Sequence, residues 1–198
     1  MLKVKICGLT RNEDALAADR LGADFLGVVL CRRSPRYVPP SKLTELFRNV
    51  RAKKVGVFVN PQLADVLNAV SVANLDAVQL HGNESAEFIC ELKSRLHNVE
   101  LWLARTPAEL SPDSLADMLV ADAPKNAPGT ICDWSAAGKI AKLRRILLAG
   151  GLNTSNLADA VQKVRPYGVD IASGIESAPG IKDQCKLNEI FNIIKEYK

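Results

Sequence analysis

The sequence predicts an α/β fold, a single (β/α)8 TIM barrel with short loops. Three observations carry this: eight short apolar runs rich in β-formers, a segment of helical spacing after each run, and no antiparallel hairpin signal between them. At 198 residues the chain is short for an architecture that usually needs about 250, so the eight units must be compact. The runs at 4–7, 25–30, 55–59 and 77–80 lead to helical patterns at 13–21, 41–50, 61–72 and 85–96. The runs at 99–103, 118–121, 146–149 and 169–171 lead to a weak segment near 107–110 and to patterns at 135–143, 156–164 and 186–197. Right-handed crossovers make such strands parallel neighbours, and eight units favour closure over an open doubly wound sheet.

Composition sets the class. With 47% hydrophobic and 24% charged residues the chain can bury a substantial core, and no linker or low-complexity tract divides it, so residues 1–198 are expected to form one domain. The net charge of +4 is too weak and too scattered for nucleic-acid binding and suits a small anion instead. Five cysteines without a CxxC pair argue against a disulfide framework or a zinc site. The N-terminus alternates charged and apolar residues at once, so it resembles a first strand rather than a signal peptide, and no stretch approaches about 20 apolar residues. The expectation is a cytoplasmic enzyme, monomer or homodimer, with no membrane or nucleic-acid partner and no metal.

In a barrel the chemistry sits where strands end. The first exit, KICGLTR, ends its strand on Cys7, a thiol that a nearby cation could ionise for proton abstraction, although the position equally suits a buried structural cysteine. The second exit offers Arg36 behind Pro35, a planar fork for a carboxylate or phosphate, or else a solvated basic loop. His81 at the fourth exit is read as polarising a substrate or as holding its loop. Asp122 ends the sixth strand, where burial would raise its pKa and help it donate a proton, or where it caps a turn. Gly150 and Gly151 at the seventh exit, with Ser173 and Gly174 at the eighth, bring backbone N–H groups toward an anion. Paired in that order they suit a phosphate.

Taken together, KICGLTR at 5–11, GADFLGVVL with SPRYV at 22–38, VGVFVN at 55–60, VQLHGNE at 78–84, LLAGGLN at 147–153 and VDIASGIESAPGIKD at 169–183 resemble the phosphoribosylanthranilate isomerase family across nearly the whole chain. The resemblance implies a cofactor-independent aldose–ketose isomerase of tryptophan biosynthesis. Its reaction converts N-(5-phosphoribosyl)anthranilate to 1-(2-carboxyphenylamino)-1-deoxyribulose 5-phosphate by an Amadori rearrangement. It further implies Asp122 as general acid, Cys7 as general base, Arg36 on the anthranilate carboxylate, phosphate on Gly150, Gly151, Ser173 and Gly174, and supporting roles for His81 and Asp170.

One region departs from the family pattern. Relatives carry a GGTGKTFDW-like loop after the acid, whereas residues 123–134 read APKNAPGTICDW, shorter, without the paired glycines, and with two prolines that restrict motion. A catalytically weakened phosphate-binding barrel with an altered substrate or a binding role is therefore the alternative, which retention of both Cys7 and Asp122 disfavours. An isomerase acting on an aminoimidazole ribonucleotide would normally use two aspartates, and the thiol at the first exit argues against it.

Overall fold

The computed structural model describes residues 1–124 and 130–197. Eight parallel strands close into a barrel in chain order: β1 (Lys3–Ile6), β2 (Phe25–Val29), β3 (Lys53–Phe58), β4 (Ala77–Leu80), β5 (Glu100–Arg105), β6 (Met118–Ala121), β7 (Ile146–Leu148) and β8 (Gly168–Ile171). Closure comes from β1, which pairs with β2 on one side and with β8 on the other, setting Lys5 opposite Asp170. All eight expected strands are present. Cys7, Leu30, Val59 and Ala149, read as strand ends, instead begin the exit loops.

Around the barrel run α1 (Asn12–Leu21), α2 (Leu43–Leu46), α3 (Leu63–Ala73), α4 (Ala86–Arg95), α5 (Trp134–Ala141), α6 (Leu157–Val164) and α7 (Gln184–Lys195). Two helical expectations shrink. The one at 41–50 becomes a 3-10 turn, Pro40–Lys42, followed by the single turn of α2. The side chain of Asn12 donates to the carbonyls of Leu46 and Arg48, satisfying groups a longer helix would have used internally. Near 107–110 there is only the 3-10 turn Pro107–Glu109, which Thr106 and Glu109 cap reciprocally. Beyond it the guanidinium of Arg144 donates to the carbonyls of Pro112, Ser114 and Ala116, doing for this loop what helical N–H groups do elsewhere.

The expectation of no hairpin is overturned. Between β8 and α7 the chain forms an antiparallel pair, β9 (Glu176–Ala178) and β10 (Ile181–Lys182), reversing at Pro179–Gly180. The eighth exit is thus longer and more structured than a short loop.

Alternation along the strands sorts the core into two clusters. Val4, Ile6, Leu101, Leu103, Leu119 and Ala121 pack outward under the helices, whereas Phe25, Val55, Trp102, Ala104, Met118 and Val120 fill the barrel interior. Phe25 and Trp102 meet edge to face at 4.9 Å. An aspartate precedes each of β2, β4 and β6 and binds the strand before it. Asp24 accepts from the Val4 N–H at 2.9 Å, Asp76 from that of Lys54 at 2.7 Å and Asp117 from that of Leu101 at 2.8 Å. The backbone N–H of each donates back to the carbonyl of the same residue. These three clamps fix the barrel floor, so the opposite rim is where side chains are left for chemistry.

Candidate active site

A cavity of about 940 Å³ opens at the C-terminal ends of the strands. Its wall contains Cys7, Arg36, His81, Asp122, Gly150, Gly151, Asp170 and Ser173, which are eight of the nine residues singled out from the sequence, from six different exits. The ninth, Gly174, lies outside the lining. A β-carbon there would sit 2.0 Å from the Leu152 carbonyl oxygen. Glycine therefore lets the eighth exit lie directly against the seventh, where Asn153 and Gly174 form a single bridge.

Cys7 is buried, its N–H donating to the Ile171 carbonyl at 2.9 Å. Because Val4 and Ile6 face the helices, Lys5 and Cys7 share the inward face of β1 and its exit. A β-carbon added at Gly27 would meet Cys7 Sγ at 2.8 Å and Lys5 Cε at 3.1 Å, so the two side chains converge over β2. Lys5 Nζ donates to Asp170 Oδ2 at 2.7 Å, with the ammonium wholly inaccessible to solvent. Burial alone would depress this ammonium, but the charges of Asp170 and Cys7 hold its pKa up at about 12. The expected cation beside the thiol is thus present. Burial nevertheless outweighs it and lifts the Cys7 pKa, with Asp170 pushing the same way and Lys5 and Lys182 opposing.

Breaking this buried pair has a predictable cost. Lys5→Met leaves Asp170 as an uncompensated buried carboxylate and should destabilise the fold by about 3–5 kcal/mol. Lys5→Met combined with Asp170→Asn should recover much of that loss. Urea unfolding midpoints of the single and double variants test the expectation, and a Lys5→Met midpoint equal to the parent's would refute it.

Arg36 is engaged already. Its Nε donates to Glu176 Oε1 and Oε2 at 2.9 and 3.1 Å, and its Nη2 to Oε2 at 2.6 Å. Burial alone would raise the Glu176 pKa, but hydrogen bonds from Arg36 and Lys182 hold it below the ordinary glutamate value.

At the sixth exit Asp122 is about one-fifth exposed. Its Oδ1 accepts from the Ala123 N–H at 2.7 Å and its Oδ2 lies 3.1 Å from His81 Nε2. His81 therefore meets the acid candidate across the barrel mouth, a partner that sequence distance had hidden. The His81 loop is held by Glu84, which accepts from the N–H groups of Asn60 and Gly82 at 2.9 Å and from Arg105 Nη2 at 2.9 Å. Within 123–134, residues 125–129 lie outside the described residues, and with them Pro128 and Gly129. Cys132 is buried and is not part of the cavity lining, and burial together with the charges of Asp122 and Asp133 pushes its pKa up to about 12.

Gly150 and Gly151 both adopt positive φ, +80° and +75°. A β-carbon at Gly150 would lie 2.4 Å from the Ala123 nitrogen and 2.9 Å from Asp122 Oδ1. Gly150→Ala should therefore cost about 1–3 kcal/mol and also displace Asp122. The expected result is a lower urea midpoint together with a lower kcat, and full activity in a folded variant would contradict it.

Sequence reasoning missed Lys5, Gln79, Glu176 and Lys182. The available signal was parity: Lys5 in VKI and Asp170 in VDI are single charges between outward apolar neighbours, which turns them into the barrel. Among the described residues Gln79 Oε1 and Asp170 Oδ1 are buried without a hydrogen-bond partner, and both residues line the cavity. Among the described residues no group of three or more His, Cys, Asp or Glu could hold a metal ion, and no helix is long and apolar enough to cross a membrane.

A thiol and a carboxyl group facing one cavity, with glycine-rich seventh and eighth exits, give the comparison with known proteins a definite site to match. Residues 4–193 match the family model described as N-(5'phosphoribosyl)anthranilate (PRA) isomerase. The N-(5'-phosphoribosyl)anthranilate isomerase of Pelobacter propionicus is 42% identical over 99% of this chain and 97% of its own length. The crystal structure of phosphoribosyl anthranilate isomerase from Thermus thermophilus superimposes with a TM-score of 0.89 at 34% identity, covering 100% of both chains. A phosphoribosyl anthranilate isomerase in complex with reduced 1-(o-carboxyphenylamino)-1-deoxyribulose 5-phosphate superimposes with a TM-score of 0.87 at 32% identity, over 99% of this chain and 100% of the other. With its barrel and its full length matched in this way, the chain belongs to the N-(5'-phosphoribosyl)anthranilate isomerase family.

Proposed function

We propose that the chain isomerises N-(5-phosphoribosyl)anthranilate to 1-(2-carboxyphenylamino)-1-deoxyribulose 5-phosphate, a step of tryptophan biosynthesis, by general acid and general base catalysis. The observation that carries the reading is the meeting of Cys7 and Asp122 in one cavity whose other walls are Arg36 and the glycine-rich exits at Gly150, Gly151 and Ser173. The phosphate binds at the seventh and eighth exits, including the backbone at Gly174, and Arg36 takes the anthranilate carboxylate. Fixing both ends positions the sugar between acid and base, which supplies much of the rate without strong catalysts.

Asp122 protonates the ribose ring oxygen as the nitrogen lone pair opens the ring to a Schiff base. Cys7, as thiolate, then removes the C2 proton, and the electron pair moves to give an enolamine that tautomerises to the ketone. His81 orients Asp122 through its 3.1 Å contact. The unpartnered Oδ1 of Asp170 and Oε1 of Gln79 suit sugar hydroxyl donors. The fluorescence of N-(5-phosphoribosyl)anthranilate, generated in the cuvette, should disappear in proportion to enzyme concentration. Decay indistinguishable from buffer would reject the reading. For the anion site, inorganic phosphate is expected beside Gly151 and Ser173 in a ligand-soaked crystal, and phosphate bound elsewhere would reject that assignment alone.

A further inference from the structure

We infer that Glu176 is the positioning residue for carboxylate recognition, occupying one edge of the Arg36 guanidinium so that the other edge faces the substrate. The inference rests on the reading that Arg36 receives the anthranilate carboxylate. A guanidinium offers two parallel donor pairs, one from Nε with Nη2 and one from Nη1 with Nη2. Glu176 takes the first pair, at 2.9 and 2.6 Å, and uses neither hydrogen of Nη1. What remains is a flat, two-toothed edge, matched to a planar aryl carboxylate. A lone ammonium could not impose that geometry.

The rest of the cluster keeps this edge in place. Glu176 Oε1 also accepts from Lys182 Nζ at 2.8 Å and from the Gly180 N–H at 3.2 Å. Lys182 Nζ is tied in turn to the Ala172 carbonyl at 3.1 Å. Side-chain exposure rises from 0% at Lys182 and 5% at Glu176 to 23% at Arg36, and of the three only Arg36 lines the cavity. Two cations around one carboxylate leave a net charge of +1, the complement of one substrate carboxylate. The Arg36 stem lies against the first exit, since a β-carbon at Gly8 would meet its Cδ at 2.6 Å. The edge held by Glu176 is thereby anchored beside Gly8, one residue from Cys7. The hairpin of β9 and β10 gains a purpose as well, because it carries Glu176 and Lys182 to the rim from a point 140 residues after Arg36.

The test uses binding preference, which a staple that merely holds the hairpin would not change. Dissociation constants are measured calorimetrically for reduced 1-(o-carboxyphenylamino)-1-deoxyribulose 5-phosphate and for its phenylamino counterpart lacking the carboxylate, with the parent, Arg36→Met and Glu176→Gln. Arg36→Met should abolish the parent's preference for the carboxylated compound. Glu176→Gln should reduce that preference about tenfold while leaving affinity for the counterpart within about twofold. If Arg36→Met keeps the preference, the carboxylate reading of Arg36 fails. If Arg36→Met loses it and Glu176→Gln keeps it in full, only the role of Glu176 fails. Should Glu176→Gln not fold, Glu176→Asp retains the charge Lys182 requires but withdraws the carboxylate by one methylene, and an unchanged preference there is equally fatal to the inference.

Discussion

Cys7→Ala should lower kcat by about 10²–10⁴ while KM stays within a few-fold, the pattern for a group that acts on a proton in the transition state and contributes little to ground-state binding. Cys7→Ser should be nearly as inactive, because a hydroxyl ionises far less readily than a thiol. The pH dependence follows from the surroundings of the thiol. Burial lifts its pKa above the ordinary value, Asp170 adds to the rise, and the ammonium groups of Lys5 and Lys182 oppose it. The base is active when deprotonated. A raised pKa therefore means that the thiolate fraction is small at neutral pH and grows about tenfold per unit until the thiolate predominates, while kcat/KM follows the product of this fraction and the protonated fraction of the acid.

Lys5→Met should move that rise further to the alkaline side, since it removes the nearest cation and leaves the negative charge of Asp170 beside the sulfur. Iodoacetamide alkylation of Cys7 reads the same ionisation without substrate. It is best followed by peptide mass spectrometry in a Cys31→Ser background, because Cys31 lines the same cavity. A Cys7→Ala enzyme with parental kcat, or an alkylation profile that Lys5→Met leaves in place, would remove Cys7 as base or Lys5 as its counter-cation respectively.

The barrel was legible because its signal is local and repeated. A short apolar run followed by a helical stretch is written eight times, and the exits follow from the strand ends. What stayed hidden depends on pairs far apart in the chain. Lys5 meets Asp170 across 165 residues and Arg36 meets Glu176 across 140. Neither pairing has a local pattern, and only barrel closure creates them. The hairpin was missed for a different reason. Ala-Pro-Gly-Ile at 178–181 is a turn signal, but β9 and β10 have three and two residues, too few to show alternation. The shortened helices at the second and fifth units depend on Asn12 and Arg144, which satisfy carbonyls from other segments, something that helical spacing cannot report.

Asp122→Asn is expected to reduce kcat by about 10²–10⁴ as well, and the shape of the site makes this substitution informative. The amide keeps an oxygen for the Ala123 N–H and nearly the same volume, so the backbone of the sixth exit is undisturbed. On the proposed mechanism, what is lost is the proton delivered to the ribose ring oxygen. The reduced open-chain product analogue has no ring to open, so its dissociation constant should change less than about threefold in the same variant. A parallel loss of analogue affinity would show that Asp122 binds or supports the pocket rather than donating a proton. His81→Gln separates the remaining possibility. If the 3.1 Å contact with Oδ2 only orients the carboxyl group, kcat should fall about tenfold, well short of the Asp122→Asn loss. If His81 itself supplied the proton, the two variants would be equally inactive, and the acid would have to be reassigned from the sixth exit to the fourth.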